Sequence, residues 1–507
     1  MLPRDAGYTT TQRHSSRQLQ SLFDRIPGLL AWLALALTIV GAARSPQLTL
    51  SVAAMLALYI AGRFVLAGVA NLMAMRQITR WEPIDWREAY ARRRTPDSLA
   101  WEAVHHVAII PNYCESVARM RATLDRLAAF PDAPTMLTVV LAMEADEAGA
   151  YARFEQLQAA FAGRFCRMVY TAHPSGLPGE RPGKASNEAW AARQAYRLLV
   201  EELGYAPDNL VVTVMDADST LHLRYFEALT CCFATDPKRW RAFWQPPLRY
   251  HNNVWAVSPP ISLVHLYSSA WETAYLAAPW WFALPYSTYS TSLRLLHEVG
   301  YWEYEPEDHR IYAQSFFHYR GDAHVRPLYL PVSVDATTGP TLGAACRARY
   351  QQTARHTMFG AWQISHALDQ VIRHRGRLPL WSTLSLLVQL VHDQLMAGAG
   401  WLVLAIGPQL AILLHPSTPG AVLPQIAALS VAMAVVTLVG VALWAMDWAH
   451  RPSRPRPWTW RERLLTLASF PLLPVMTVIV LALPTLDAQS RLLFGISARF
   501  GRVTHKG

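Results

Sequence analysis

Two aspartates two residues apart, Asp216 and Asp218, close the run Val211-Val212-Thr213-Val214-Met215 and lead into Ser219. A short Val-rich run ended by polar residues reads as a buried strand emptying into a loop. In extended backbone, residues i and i+2 point the same way, so the spacing predicts both carboxylates facing one spot. Paired hard oxygens suit Mg²⁺ or Mn²⁺, ions that share their shell with substrate phosphates. The same pattern also serves a plainer end, with Asp218 capping a helix that starts near Leu221.

A second acidic pair, Glu307-Asp308, follows the aromatic turn Gly300-Tyr301-Trp302. Adjacent acids in a regular element point different ways, so one can do chemistry while the other orients it. A carboxylate beside aromatics can have a raised pKa and act as a general base; the alternative is a helix N-terminus stabilised by acids. Gly183-Lys184 offers close backbone approach and a point charge, which suits a diphosphate. Lys184 is one of three lysines in a chain whose other cationic side chains are arginine. Gln352, Arg355 and His356 share one helical face by i, i+3, i+4 spacing, and an arginine there suits a departing diphosphate. Glu115 and Glu144 stand just beyond two apolar runs, where polar groups could grip a nucleoside or serve as ordinary loop and capping residues.

The elements that must position these groups are legible as runs. Val107–Ile110, Leu137–Met143, Cys166–Tyr170 and Leu210–Met215 are strand-like, with helix-length stretches between them. That alternation predicts an α/β domain over 101–340 with a mostly parallel sheet and ligands beyond the strands' carboxyl ends. Around it the sequence divides into an N-terminal segment (1–26), an apolar hairpin (27–72), an interfacial segment (73–100), an amphipathic region (341–380), apolar runs at 385–414, 421–445 and 464–486 within 381–487, and a basic tail (488–507). A chain 52% hydrophobic and 16% charged suits a membrane protein. Its net charge of +10 comes from arginines clustered beside the apolar runs, which favours anionic lipid and excludes a nucleic-acid face.

By the same charge rule the 101–340 domain and the 451–463 connection belong on the cytoplasmic side, and 415–420 on the other. Five crossings would leave the basic tail outside, against that rule. Pro471, Pro474 and Pro484 offer a broken or re-entrant last run instead. Arg63, inside the second run, is expected to face protein or water, or else to snorkel to an interface. The five cysteines have no metal spacing and read as reduced thiols in a cytosolic domain. The polar, arginine-bearing start gives no sign of a cleavable signal peptide.

Taken in order, these motifs resemble the membrane-embedded family 2 glycosyltransferases, the group containing cellulose, chitin and hyaluronan synthases, over about 101–370. The resemblance implies a GT-A-like domain inserted between transmembrane helices. It puts Glu115 and Glu144 in nucleotide-contact positions, with Glu144 where the family has aspartate, and Lys184 near the donor. Asp216 and Asp218 match the metal-binding Asp-x-Asp. Glu307 and Asp308 match the acidic pair of Thr-Glu-Asp, with Pro306 for threonine and Asp308 as the base. Gln352 and Arg355 match Gln-x-x-Arg-Trp with His356 for tryptophan, and His356 and Trp302 lie toward the acceptor. The implied activity is inverting transfer from a nucleotide-sugar donor, to a polysaccharide or to a lipid-linked acceptor. A rival of another class is a membrane transporter or scaffold with a degenerate domain, against which the intact Asp216, Asp218, Asp308 and Arg355 weigh.

Overall fold

The computed structural model describes residues 21–177, 180, 183–303, 307–374, 376–416 and 422–496. The expectations placed on residues 1–20, Pro182, Pro306, 417–420 and the tail beyond 496 lie outside them.

A seven-stranded sheet organises the α/β domain: β1 (His105–Pro111), β2 (Leu137–Glu144), β3 (Arg167–His173), β4 (Leu210–Val214), β5 (Ala242–Gln245), β7 (Tyr289–Ser292) and β8 (His324–Pro327), in the order β3-β2-β1-β4-β7-β5-β8. β6 (Leu248–Arg249) and β9 (Val332–Ser333) form a separate pair. β1 through β4 run parallel, and β7 runs antiparallel between β4 and β5. β1, β2 and β4 are almost continuously apolar because helices cover both faces of the sheet. Their period of two sorts the side chains: Ala108 and Ile110 enter one core, Val107 and Ile109 the other. After β3 the chain returns to the far side of β1 to lay down β4. That reversal is where an open α/β sheet leaves a crevice at the strand ends.

The helices that carry or brace that crevice are α1 (Ile26–Arg44), α2 (Pro46–Trp81), α3 (Lys184–Tyr196), α4 (Pro259–Ala277), α5 (Glu307–His318) and α6 (Leu342–Arg373), then α7 (Leu380–Leu414), α8 (Leu423–Trp448) and α9 (Trp460–Leu493). Among the described residues five helices are long and apolar enough to cross a membrane: α1 extended back to Ser21, α2, α7, α8 and α9. Two boundaries differ from the sequence reading. α2 runs unbroken past 72 to Trp81, because no helix breaker intervenes before Glu82-Pro83. α4, counted within the soluble domain, packs on the membrane helices, with Trp271 against Phe64 and Ala274 against Ala67 and Ala70. Arg63 faces protein: it donates to Tyr275 Oη at 2.6 Å, reaches His392 at 2.8 Å, and lies 5.1 Å from the ring centres of both Trp271 and Trp281.

Helix ends separate two sides. Away from the domain, His415 bonds the Ala43 carbonyl and Gln425 bonds Ser51. On the domain side, Asp447 at the end of α8 bonds His251, and Trp255 donates to the Pro452 carbonyl. The 451–459 connection therefore sits on the α/β domain. α9 starts there, with Phe470 on Trp444 and Met476 and Val480 packed near Val257 and Ile261. It reaches inward only to the level of Leu35, where Ala482 packs. Its last turns come back along α1: Gln489 lies against Gly28, Ser490 bonds Trp32, and Gly495 lies beside Arg25. The turn of α9 back along α1 has a backbone cause. Pro484 has no N–H for the Val480 carbonyl four residues earlier, and the Thr353 hydroxyl of α6 donates to that carbonyl at 2.8 Å.

Cysteines placed singly at Arg456, Pro416 and Phe494, in a chain cleared of its own, should test this path. An impermeant thiol reagent applied from the domain's side should label positions 456 and 494 together, and 416 only from the other. Labelling of 494 together with 416 would mean that α9 crosses.

Candidate active site

β4 ends at Val214, and the chain turns at once, with the Ser219 N–H bonded to the Asp216 carbonyl at 2.9 Å. The extended geometry expected for the two aspartates is therefore corrected to a turn, and their carboxylates meet different neighbours. Asp216 Oδ1 lies 3.0 Å from Lys184 Nζ, and Oδ2 accepts from the Ser287 hydroxyl at 2.8 Å. Asp218 Oδ2 faces the Asp335 N–H at 3.4 Å, and its carbonyl accepts from Asn252 at 2.6 Å.

Lys184 opens α3 and is the hub. Its ammonium is 3.1 Å from Glu307 Oε1 and 3.5 Å from Oε1 of Glu188, a turn further along α3 and fully buried. Carboxylate oxygens of Glu188, Glu307 and Asp308 all lie within 4.8 Å of one another. Asp308, one residue into α5, accepts from the Ser287 N–H at 2.6 Å. Ser287 thus touches Asp216 through its hydroxyl and Asp308 through its backbone. It does so with φ at +55°, a left-handed conformation unusual for serine. Gln245 holds that strained turn, accepting from the Tyr286 N–H at 2.9 Å and donating to the Thr288 carbonyl at 3.1 Å.

The electrostatics follow from burying several carboxylates around one ammonium. Burial pushes Asp308 up to about 7, against the opposing pull of Lys184 and with help from Glu307 and Asp216. Burial also holds Glu188 well above the usual carboxylate range, again opposed by Lys184. Burial alone would lower Lys184, but Asp216, Glu188, Asp308 and Glu307 together hold it well above its ordinary value. A cleft whose hard oxygens gather a cation in this way fits a divalent ion of the Mg²⁺ or Mn²⁺ kind.

The remaining sequence candidates divide. Glu115 lies 3.6 Å from Arg119, which reaches Asp335 at 3.4 Å, so the loop after β1 is tied to the segment touching Asp218. Gln352 accepts from Thr337 at 2.9 Å and from Arg349 at 2.7 Å, fastening α6 to that same segment. Arg355 is half-buried and His356 exposed on α6. Two candidates stand apart from the acidic hub. Glu144 is buried against His173 at 3.1 Å, which in turn meets Glu180 at 2.9 Å. Trp302 is in the core, 1% exposed, its ring N–H on Tyr289 Oη at 2.8 Å, so it presents no open face. Sequence reasoning missed Glu188, Ser287 and the buried Arg349. Only Glu188 carried a signal, its i+4 spacing from Lys184.

Fold and site together define a chain of apolar helices holding an α/β domain with a lysine-centred acidic cleft at its strand ends. No protein-family profile matches it, and no curated protein matches. Among solved structures it is similar to a mannosyltransferase from Pyrobaculum calidifontis in complex with GDP-Man and Mn²⁺, at 15% identity and a TM-score of 0.41, covering 87% of this chain and 100% of that one. It is also similar to glucosyl-3-phosphoglycerate synthase from Mycobacterium tuberculosis with Mn²⁺, UDP and glucosyl-3-phosphoglycerate, at 16% identity and a TM-score of 0.29, covering 51% of this chain and 80% of that one. The same synthase with Mg²⁺ and UDP gives 16% identity and a TM-score of 0.30, covering 54% of this chain and 80% of that one. The sheet order and side-chain geometry above stand without these likenesses.

Removing the hub cation should destabilise the fold, since it leaves the fully buried Glu188 without its partner. Lys184→Met should therefore melt well below the parent, and adding Glu188→Gln should recover part of the loss. Equal melting of parent and Lys184→Met would show that the ammonium does not hold these acids.

Proposed function

We propose that this chain is an inverting glycosyltransferase, moving a sugar from a nucleotide-sugar donor to a hydroxyl acceptor presented at the membrane. The observation that carries the reading is the pairing across Ser287 of Asp216 with Asp308, a buried carboxylate raised to about 7 and beside the Lys184 ammonium. A base poised near neutrality is what proton removal from a hydroxyl needs.

In this reading Lys184 shifts from its carboxylates toward the donor diphosphate. Asp216 and Asp218 would hold Mg²⁺ or Mn²⁺, an ion that would supply charge neutralisation at the diphosphate. The acceptor oxygen forms its bond to the anomeric carbon as the bond to the diphosphate oxygen breaks, and the leaving group takes that electron pair. Asp308 receives the acceptor proton. Attack from the face opposite the leaving group inverts the carbon. Glu307 orients its neighbour Asp308, and Ser287 fixes Asp308 relative to Asp216. Arg355 meets the diphosphate from α6, and Gln352 keeps that helix fastened. Glu115 and Glu144 contribute on the nucleoside side, and His356 on the acceptor side.

The acceptor in this proposal is a growing polysaccharide, with the α/β domain cytoplasmic. The support is the packing of α4 on α2 and the bond joining α6 to the segment over Asp218. A lipid-linked acceptor fits the same placement, and product length separates the two.

Purified protein screened against nucleotide sugars should release nucleoside diphosphate, with release stopped by chelator and restored by Mg²⁺ or Mn²⁺. Asp308→Asn should lower transfer by about 10²–10⁴-fold while donor affinity holds, whereas Asp216→Asn should lose both. Release that resists chelator, or is unchanged in Asp216→Asn, would sink the assignment.

The pH profile gives a separate check. The base must be deprotonated, so kcat/KM should fall as pH drops below about 7 and level off above it, with the apparent value belonging to the acids as a set. A profile flat from pH 5 to 8, a span set by the ordinary carboxylate and histidine ranges and roughly bracketing neutrality, would remove Asp308 from that role. Ser287→Ala deletes the hydroxyl bond to Asp216 and should slow turnover by about tenfold or more.

A further inference from the structure

Behind the catalytic acids, between the far end of α5 and the last third of α6, lies a cavity of about 320 Å³ that the proposed reaction does not use. His318 and Arg320 come to it from the end of α5, His366 and His374 from α6, and Arg377 from the link to α7. Its acid, Glu303, is engaged by Arg310 at 2.9 Å. Two buried polar atoms of the wall have no hydrogen-bond partner: Nε2 of His366, which is 3% exposed, and Oε1 of Gln314. The Gln314 amide is oriented by its other end, which donates to the Tyr301 carbonyl at 3.0 Å. Unsatisfied buried polar atoms are costly and call for a partner.

The chemistry of the lining specifies that partner. Two arginines at the rim and an imidazole at the floor provide donors and positive charge for a phosphate group. Burial and the flanking Arg310 and Arg373 hold His366 well below its ordinary pKa, so it stands neutral in a positive field. The Gln314 oxygen accepts only, which suits a hydroxyl on the same ligand. A metal is disfavoured: among the described residues three or more acidic, His or Cys ligand atoms converge only at Glu188, Glu307 and Asp308. The backbone is built toward the site, since Arg320 is held at φ +53° in the turn closing α5, an outlier of the kind that collects at ligand sites.

The cavity opens beside the start of the apolar helix α7. Its wall ends at Leu378, the 320–321 turn lies against Pro379, and the next residues, Leu380 and Trp381, are 72% and 77% exposed. We infer that this cavity binds a polyol phosphate, a phosphate group carrying free hydroxyls, either as a soluble molecule or as a glycerol-type lipid head group. The site spans the helix whose first turn holds Glu307 and Asp308 and the helix that holds Gln352 and Arg355, so its occupant bridges the two.

The test is a binding measurement, independent of turnover and so of the proposed function. Full-length protein in phosphatidylcholine nanodiscs is dialysed against sn-glycerol 3-phosphate, and phosphatidylglycerol retained from mixed nanodiscs is counted by native mass spectrometry. Saturable binding of the soluble probe identifies a free polyol phosphate as the source; retention of the lipid alone identifies a head group. In either case Arg320→Gly with Arg377→Gln should weaken binding by about tenfold or more, glycine being at ease with the positive φ. His366→Leu, altering only the floor, should do the same in a chain whose melting matches the parent. Binding of neither probe, or binding unchanged in both variants, would leave the cavity to water and overturn the inference.

Discussion

One ammonium serves more carboxylates than it can neutralise. Lys184 is within 3.5 Å of Asp216, Glu188 and Glu307, with Asp308 close enough to add to the same field. Burial raises Asp308 and Glu188 first, and the neighbouring acids add to it, while Lys184 pulls both back. The arrangement is held by covalent geometry remote from the charges. Lys184 and Glu188 are a turn apart on α3, an alanine-rich helix whose Ala185, Ala189 and Ala192 enter the same core as Val107 and Ile109. The acids of α5 occupy its first turn, where the helix dipole favours negative charge.

The cleft depends equally on a strand that runs the wrong way. β7, antiparallel beside β4, delivers Ser287 to the end of a parallel sheet and lets one residue contact acids from two separate elements. A parallel strand in that slot would bring its carboxyl end there instead, and the strained turn at Ser287 would face the opposite edge. β7 is polar in sequence yet buried, because Ser290 bonds Thr213 and Tyr225. The strand that carries Ser287 to the site is thus fastened in part by hydroxyls.

How much of this was legible follows from what each signal encodes. Asp216, Glu307, Asp308 and Lys184 were visible because acids and a rare lysine at a strand's end and at helix starts are chemically conspicuous. Ser287 was invisible: a serine between Tyr286 and Thr288 looks like any loop residue, and its role arises from a positive φ and a long-range pairing. β1 to β4 were legible as apolar runs, whereas β7 was not, since its hydroxyl-rich face breaks the apolar pattern. The spacing rule failed at Asp216 and Asp218 because the chain turns right after β4. Hydropathy counted five apolar helices but could not give the path of α9, which depends on Pro484 and on a hydroxyl from another helix.

That path bears on where the protein settles. α9 is a 34-residue apolar helix whose two ends both lie on the α/β-domain side and whose middle reaches the level of Leu35 and Leu56. In a bilayer, a helix on such a path would spread the lipids of one leaflet with no counterpart in the other, and so would behave as a wedge. Its free energy of insertion is lowest where that leaflet is already stretched, since embedding of this kind is sensitive to bilayer curvature. Placed in a membrane, the fold would couple the position of the acidic cleft to membrane shape, regions bulging toward the α/β domain holding the chain more favourably than flat ones.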